Sequence, residues 1–535
     1  MKVCPLLLLS SLCSLCRVAA SPIGDIVNTR YGSIRGNAPD AKGIRSFKGI
    51  PFAEPPVGNL RWQSPRSPQL WNTTLDTTKF GQSCWSFLTL VPPPTVESED
   101  CLTVNVWSPA TDTQDNLPVM VWIYGGGFQF GSTAEARYDG SGLASKDVVL
   151  VSLNYRMGLF GFLALSELDK EGSSSGNYGL QDQLFGLQWV KENIALFGGD
   201  PSKVTIFGES AGAHAVGLLV SSPESKGLIS GAILESGAFW DSVSGSLRTP
   251  AEARAFGQDF LQRMAVSSVA QLRVMSAQTL VTAGQWTPTT DPVISAFSPS
   301  IDGFVLPTTP AEAFATGHQA LVSLLAGWNG AEYNAFVPFE LPHLTAQLFE
   351  QAAMVPFGSD LGQFKELYPD ATIEQLNSSA ETLCSDTVIR QQTWDAVDKQ
   401  SRHVPSTYAY FYTYASPYSP VPGHTAEIPF VFGTLNSTTV AGGSGVPTAA
   451  DEKISDTIMT YWTNFAKTGD PNGPGLATWP KYTSEAHEVI MLANVVSAGV
   501  YSLDRFQFIE KYRLSNGSFP HRWRNVQIQG SLPSD

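Results

Sequence analysis

The chain has 535 residues, of which 43% are hydrophobic and 15% are charged, so it can bury a large core and is neither disordered nor collagen-like. Its formal net charge of -15 argues against a nucleic-acid partner, because phosphate backbones bind clustered Lys and Arg side chains. The length alone would allow several domains, but the chain has no internal repeat and no long linker. One large domain is therefore favoured.

Residues 1–20 are typical of a secretory signal peptide. Lys2 precedes an apolar run, and the small residues Val18 and Ala20 occupy the positions that signal peptidase requires. That run is too short for a transmembrane anchor, and no later segment is apolar enough to span a bilayer. We therefore expect a secreted, extracellular protein with no membrane anchor, whose mature chain, residues 21–535, is a single domain.

Short β-branched or aromatic runs alternate with helical stretches along the rest of the chain. The predicted strands are 119–124, 148–153, 204–207, 232–235, 322–328, 408–414 and 489–492. Helices are predicted from apolar spacing at 181–196 and 453–467, and Gly469 and Pro471 end the second of them. This alternation predicts an α/β protein with a large, mostly parallel sheet that helices cover on both faces.

Three cysteines lie outside the predicted signal peptide. Cys84 and Cys101 flank a segment with three consecutive prolines, and bridging it would stabilise the fold by about 3 kcal/mol, so we expect that disulfide. Cys384 is then left over, and a buried, inert thiol is expected there rather than a reactive one. Four sequons are candidates for glycosylation, in keeping with export: Asn72, Asn377, Asn436 and Asn516.

The pentapeptide Gly-x-Ser-x-Gly, a pattern that chance produces easily, occurs twice. The copy at 172–176 follows a charged stretch, so its serines, 173 to 175, are interpreted as a solvated loop. The copy at 208–212 follows the strand predicted at 204–207 and opens into a small-residue helix. A strand, a tight turn and a helix expose a serine oxygen at a strained elbow, so Ser210 is the predicted nucleophile.

A serine hydroxyl becomes a good nucleophile only when a histidine, oriented by an acid, takes its proton. His424 is the predicted base because it follows an aromatic strand and a glycine, late in the chain, as the order Ser, acid, His requires. His214 lies one helical turn after Ser210 and is expected to pack rather than to act as the base. No comparable glycine-hinged loop precedes His343, His403, His487 or His521.

The acid is less well determined by the residues alone. Glu332 lies just past the strand predicted at 322–328, and Asp302 and Asp386 remain alternatives. Negative charge on a tetrahedral intermediate also needs hydrogen-bond donors, which the glycines at 125–127 would supply. With the amide of Ala211, their unobstructed N–H groups would form an oxyanion hole. A phosphate-binding loop would want a helix directly after the glycines and usually a lysine, and neither follows.

Taken together, the chain resembles the type-B carboxylesterase/lipase family, the α/β-hydrolases that include cholinesterases and large fungal lipases. The similarity runs from about residue 27 to residue 492. The motifs that carry it are FKGIPFAEPPVGNLRW (47–62), EDCLTVNVW (99–107), YGGGF (124–128), NYRMGLFGF (154–162), GNYGLQDQ (176–183), WVKENIALFGGDPSKVTIFGESAGA (189–213), LESGAFW (234–240), GHTAEIPFVFG (423–433) and YWTNFAKTGDPN (461–472).

The resemblance implies the α/β-hydrolase fold and a set of roles for individual residues. It implies Ser210 as nucleophile, Glu332 as acid and His424 as base. The other residues that it assigns are the oxyanion donors Gly126, Gly127 and Ala211, the Cys84–Cys101 disulfide, an Arg61–Glu99 ion pair, and Ser236 and Glu209 as residues that support the triad. Ala331 and Tyr333 flank Glu332 where many members have Asp and Gly, so a local difference in that loop is expected.

These observations predict a secreted serine carboxylic-ester hydrolase that needs no metal and no cofactor and acts on a small-molecule or lipid-like ester. The segment between Cys84 and Cys101 is shorter than a lipase lid and has no interior tryptophan of the cholinesterase kind, which argues against both specialised activities. A lipase with a reduced lid and a non-catalytic adhesion-type relative remain the alternatives, although the presence of Ser210 disfavours the second. The sequence YGGGFQFG most resembles that of secreted fungal members of the family, some of which serve secondary-metabolite pathways.

Aromatic residues close to the predicted site indicate either an apolar acyl pocket or ordinary core packing. These residues are Phe128, Phe130, Phe239 and Trp240. The sequence does not specify the oligomeric state.

Overall fold

The computed structural model describes residues 21–87, 92–172, 175–239, 247–285, 297–333, 344–437 and 442–516. The predicted signal peptide lies outside these residues, as do Ser173, Ser174, Trp240, His343 and His521. Within the described ranges, none of the helices has both the length and the apolar character needed to cross a membrane.

Fifteen strands are present in the described residues, and ten of them form the central sheet in the order β15-β14-β13-β12-β11-β10-β8-β9-β7-β3. Six of the nine neighbouring pairs are parallel, so the sheet is mostly parallel. The strands are β1 (Ile26–Thr29), β2 (Gly32–Arg35), β3 (Arg45–Pro51), β4 (Leu75–Asp76), β5 (Ser83–Cys84), β6 (Glu97–Ser98), β7 (Thr103–Ser108), β8 (Leu117–Ile123), β9 (Val149–Leu153), β10 (Gly199–Glu209), β11 (Gly231–Glu235), β12 (Ser323–Asn329), β13 (Thr407–Tyr412), β14 (Glu488–Leu492) and β15 (Ser497–Val500).

Helices surround this sheet. They are α1 (Ser141–Ala144), α2 (Gly158–Phe162), α3 (Tyr178–Asn193), α4 (Ala211–Ser221), α5 (Pro250–Arg263), α6 (Val269–Arg273), α7 (Ala277–Gly284), α8 (Pro310–Thr316), α9 (Ala346–Phe357), α10 (Leu361–Leu367), α11 (Ile373–Ser385), α12 (Gln391–Ser401), α13 (Ile428–Phe432), α14 (Ala449–Thr468) and α15 (Asp504–Asn516). Between α11 and α12, residues Asp386–Arg390 form a π-helical turn.

All seven strands and both helices predicted from the sequence are confirmed, with shifts of a few residues at their ends. The long helix α14 begins at a capping box formed by Thr448 and Asp451 and ends at Gly469, whose left-handed φ of 74° suits glycine. Three further strands of the central sheet, β3, β7 and β15, were not predicted. Each of them pairs antiparallel to its neighbour at an edge region of the sheet.

The parallel strands all end at the same edge of the sheet. β8, β10, β11, β12 and β13 are consecutive neighbours and all run in the same direction. Their carboxyl ends therefore meet at one edge, where open α/β sheets bind ligands. The glycine loop, the serine turn and the loops that carry Glu332 and His424 all begin at these ends.

The expected bond between Cys84 and Cys101 is present, and Cys384 is buried. Beside this disulfide, the guanidinium of Arg61 forms a two-pronged ion pair with the carboxylate of Glu99, with both N···O distances at 2.6 Å. The disulfide and the ion pair thus tie the same loop to the body of the domain, as the family resemblance implied.

Three of the predicted glycosylation sites, Asn72, Asn377 and Asn436, are exposed, and Asn516 is the last residue of α15. The exposure of the first three is compatible with glycan attachment, which stays a prediction.

Replacing both Cys84 and Cys101 with Ser should lower the free energy of unfolding by about 3 kcal/mol, because the bond joins residues with a sequence separation of 17 and restricts the unfolded chain. Denaturant unfolding without reductant measures this change. Cys384→Ala is the matched control for losing a cysteine outside the bond. An unchanged unfolding midpoint in the double variant would contradict the prediction.

Candidate active site

Ser210 lies in the sharp turn between β10 and α4, with φ 56° and ψ -125°, a conformation that only a strongly supported turn maintains. Its amide donates to the carbonyl of Glu235 at 2.9 Å, and its carbonyl accepts from the amide of His214 at 2.9 Å. At Gly212 a Cβ atom would lie 2.1 Å from the carbonyl oxygen of Ile123, so only glycine allows α4 to approach the end of β8 this closely. The geometry is that of a strained elbow.

Glu332 and His424 are brought together by two loops that are distant in sequence. The Nδ1 atom of His424 lies 2.8 Å from Oε2 of Glu332. The other carboxylate oxygen, Oε1, accepts the backbone N–H of Asn329 at 2.6 Å. Both oxygens of this buried carboxylate are therefore used, and the orientation of the imidazole is fixed by the first of them.

Asn329, which the sequence analysis did not single out, connects these two loops. Its side-chain amide donates to the carbonyl of Gly423 at 2.8 Å and also to Glu427. Next to it, the amide of Ala331 donates to the carbonyl of Pro422 at 2.9 Å. The only sequence signal for Asn329 is its position at the end of β12, three residues before Glu332.

The opposite nitrogen of His424 faces the elbow. Its Nε2 atom lies 3.2 Å from Oε1 of Glu209, the residue directly before Ser210. Among the hydrogen bonds of the described residues, none joins the Oγ atom of Ser210 to this imidazole. The structure thus brings His424 to the serine turn and joins it to Glu332.

Buried carboxylates determine the electrostatics around His424. Burial by itself lowers the pKa of His424, but the negative charges of Glu209 and Glu332 outweigh burial and raise this pKa above its ordinary 6.5. Burial also raises the pKa of Glu209 to about 7 and that of Glu427 to about 8. Protonation of the imidazole and of these two neighbouring carboxyls is therefore closely linked.

The glycine loop lies beside the elbow: a Cβ atom at Gly125 would be 3.1 Å from Cβ of Ser210. Gly126 has φ 100° and Gly127 has φ 62°, and a Cβ at Gly126 would meet the carbonyl oxygen of Phe130 at 2.0 Å. In the part of the chain that the structure describes, the N–H groups of Gly126, Gly127 and Ala211 donate to no backbone carbonyl. These amides are available to a negatively charged oxygen.

Two tyrosines hold the start of this loop. The hydroxyl of Tyr155 donates to the carbonyl of Tyr124 at 2.8 Å, and the two rings stack with centroids 4.6 Å apart. Both side chains are fully buried, so Tyr124, the residue before Gly125, is fixed both by the hydrogen bond to its carbonyl and by the stacking of its ring.

Three further residues that the sequence analysis named, His214, Ser236 and Ser175, are buried. His214 is buried in α4, its Nε2 atom would lie 3.2 Å from a Cβ at Gly237, and burial lowers its pKa to about 3, so it is neutral and packed as expected. Ser236 is buried beside this turn, and no hydrogen bond joins its Oγ to Glu332 within the described residues. The interpretation of Ser175 as solvated is wrong, because its hydroxyl is buried against Asp169 and Leu165.

The alternative acids are engaged elsewhere. Asp386 binds Arg390 and Arg505, and one Asp302 oxygen accepts the N–H groups of Phe304 and Leu306.

Two of the aromatic residues noted near the site belong to the core. Phe128 and Phe239 are fully buried in edge-to-face pairs with Phe162 and Phe314.

The comparison with known proteins agrees with this geometry. The model of the carboxylesterase family matches residues 24–508. The chain belongs to the carboxylesterase family. It is 35% identical to a para-nitrobenzyl esterase of Bacillus subtilis (strain 168) over 487 residues, which cover 88% of this chain and 95% of that protein.

Two further similarities point to the same chemistry. The chain is 34% identical to a fumonisin B1 esterase of Sphingopyxis macrogoltabida over 492 residues, 88% of this chain and 87% of that protein. A solved structure of a thermophilic PNB esterase superimposes with a TM-score of 0.80 at 34% identity, covering 91% of this chain and 99% of the other. The fold is the α/β-hydrolase fold, and the protein is a carboxylic ester hydrolase.

The pH dependence of this carboxylesterase should report the Glu209–His424 contact. On the prediction that His424 is the base, its imidazole must be neutral to accept a proton, so kcat/KM should fall as pH drops through the pKa of His424. Removing the Glu209 charge lowers that pKa, so in Glu209→Gln this acid limb should move to lower pH. Profiles of kcat/KM for both proteins measure the shift, and an acid limb that stays in place or moves upward would contradict the assignment.

Proposed function

We propose that the enzyme works through a covalent acyl-enzyme formed on Ser210. His424 accepts the proton of the Ser210 hydroxyl as Oγ attacks the ester carbonyl carbon, and Glu332 stabilises the imidazolium that forms. His424 then gives this proton to the departing alcohol oxygen as the carbon–oxygen bond breaks. In the second half-reaction His424 takes a proton from a water as the water oxygen attacks the acyl carbon. It then gives this proton to Oγ of Ser210 as the bond between Oγ and the acyl carbon breaks, which releases the acid and restores the serine.

The amides of Gly126, Gly127 and Ala211 are proposed to receive the negative oxygen of both tetrahedral intermediates. Fixed donors need no reorganisation during the reaction, and each one is worth on the order of 10² to 10³ in rate. The buried tyrosine pair at the start of the glycine loop supports this role, because it restrains the backbone from which two of these donors project.

The observation that carries the proposal is the position of the His424 ring between two carboxylates. Its Nδ1 side contacts Glu332 at 2.8 Å and its Nε2 side faces Glu209, the neighbour of Ser210, at 3.2 Å. Because Glu209 directly precedes Ser210, this contact places the imidazole beside the serine turn, and catalytic hydrogen bonds often tighten when substrate binds.

We further propose that the enzyme is exported and that its substrates are small carboxylic esters, a secondary-metabolite ester among them. Two named relatives support small substrates, since one is called a para-nitrobenzyl esterase and the other a fumonisin B1 esterase. A lipase with a reduced lid is the second candidate, and it would show a rise in rate at an oil–water interface. Nitrophenyl esters of increasing chain length, assayed above and below their solubility limit, distinguish the two.

Ser210→Ala should abolish covalent labelling by a fluorophosphonate and reduce ester hydrolysis by about 10⁴-fold or more, because no other group can form the acyl-enzyme. Labelling is read by intact mass and hydrolysis with nitrophenyl acetate. Ser174→Ala, in the other Gly-x-Ser-x-Gly, is the matched control and should label fully. Full esterase activity in Ser210→Ala would refute the assignment of the nucleophile.

His424→Ala and Glu332→Gln should both remain folded and lose most of their turnover, with Glu332→Gln the milder change. An amide can still accept a hydrogen bond from the imidazole, whereas removal of the ring leaves no base. Values of kcat, together with thermal unfolding to verify folding, test this ranking. Normal turnover in either variant would remove that residue from the mechanism.

A further inference from the structure

The loop that presents Glu332 is gripped by a buried arginine that belongs to a different part of the chain. The Nε atom of Arg390 donates to the carbonyl of Asn329 at 3.1 Å, and its Nη2 atom donates to the carbonyl of Gly330 at 2.7 Å. These are consecutive carbonyl groups, two and three residues before Glu332. One planar guanidinium thus fixes two successive peptide groups at the start of the loop that carries Glu332.

The charge of Arg390 is itself held in place. Its Nη1 atom lies 3.0 Å from Oδ1 of Asp386, and Arg390 and Asp386 are both almost completely buried. The other oxygen of Asp386 accepts from the hydroxyl of Tyr368 at 3.0 Å and from Nε of Arg505 at 2.7 Å. These contacts fix the orientation of the planar Arg390 guanidinium, so its N–H groups point in fixed directions.

The local backbone explains how Arg390 reaches the loop. Asp386 and Arg390 are the first and last residues of the π-helical turn between α11 and α12. Such turns insert an extra residue into a helix, re-aim the side chains that follow, and are frequent at functional sites. A second bond from the same helix reaches further along the loop, because the hydroxyl of Ser385 accepts the N–H of Tyr333 at 3.1 Å.

We propose that Arg390 is a positioning residue for the triad acid: by clamping the carbonyls of Asn329 and Gly330 it holds Glu332 against Nδ1 of His424. This inference rests on the proposed function, since it assigns to Arg390 an effect that reaches the reaction only through Glu332.

A double-mutant cycle with Glu332 tests this directly. In the full-length protein, Arg390→Met should lower kcat on nitrophenyl acetate by about 10- to 100-fold with little change in KM, because displaced catalytic groups cost factors of this size. In the Glu332→Gln background the same substitution should lower kcat by less than about 3-fold, because contacts that act as a unit are not additive. Equal factors in the two backgrounds would overturn the proposal.

The pH profile gives a readout that a loss of stability would not move. In the described residues, the titratable groups that face His424 are Glu332, Glu209 from the serine turn, Glu427 just before α13 and His214 from α4. If Arg390→Met lets Glu332 move away, the acid limb of kcat/KM shifts to lower pH. An acid limb and a kcat equal to those of wild type would also overturn the proposal.

Arg61 provides a matched control, because it is another buried arginine that pairs with a carboxylate and donates to backbone carbonyls, those of Leu272, Arg273 and Met275. Arg61→Met should lower thermal stability and leave the acid limb and the kcat of the folded fraction unchanged. An equal loss of kcat in Arg61→Met would show that the Arg390 effect is general destabilisation.

A conservative variant covers the case in which Arg390→Met does not fold. Lysine keeps the charge but cannot donate to both carbonyls from one plane, so Arg390→Lys should recover part of kcat. Wild-type kcat and pH profile in Arg390→Lys, with Arg390→Met unfolded, would limit Arg390 to a structural role. Failure of the proposed function is distinguishable, because Glu332→Gln alone would then retain full turnover.

Discussion

The contact between His424 and Glu332 is the interaction on which the rest of the site depends. It joins two loops whose residues are 92 positions apart, and it forms because β12 and β13 are parallel neighbours whose loops leave the same edge of the sheet. The carboxylate is desolvated, so it is tolerated only because both of its oxygens are hydrogen-bonded. The pairing of β12 with β13 places the two loops side by side, and the contacts within these loops orient the Glu332 carboxylate toward His424.

The backbone around this contact is strained where chemistry is expected. Four of the non-glycine residues with left-handed φ lie in or next to the site, namely Phe128, Ser210, Ser236 and Thr425. Each such conformation costs of order 1–3 kcal/mol, so surrounding contacts must over-determine it. The buried tyrosine pair, the Asn329 amide and the Arg390 guanidinium supply such contacts on different sides of the site.

Much of this arrangement could be predicted from the sequence. The strands of the parallel core are short apolar runs between turn signals, and the elbow at Ser210 follows from a strand, a glycine turn and a small-residue helix. Glu332 could not be separated from Asp302 and Asp386 by spacing, because only the tertiary fold determines which carboxylate meets the imidazole. The roles of Asn329 and Arg390 were not predictable either, since polar side chains that bind backbone carbonyls leave no periodic signal. Ser175 was misread for the same reason: its glycine-rich surroundings are typical of a loop, and its burial depends on distant contacts.

A crystal structure of the enzyme after reaction with a fluorophosphonate would test the central claim most directly, because the adduct imitates the tetrahedral intermediate. The account predicts phosphorus bonded to Oγ of Ser210, one phosphoryl oxygen within about 2.7–3.1 Å of the amide nitrogens of Gly126, Gly127 and Ala211, and Nε2 of His424 hydrogen-bonded to the adduct. A phosphonate attached to another residue, or a phosphoryl oxygen distant from all three amides, would contradict it.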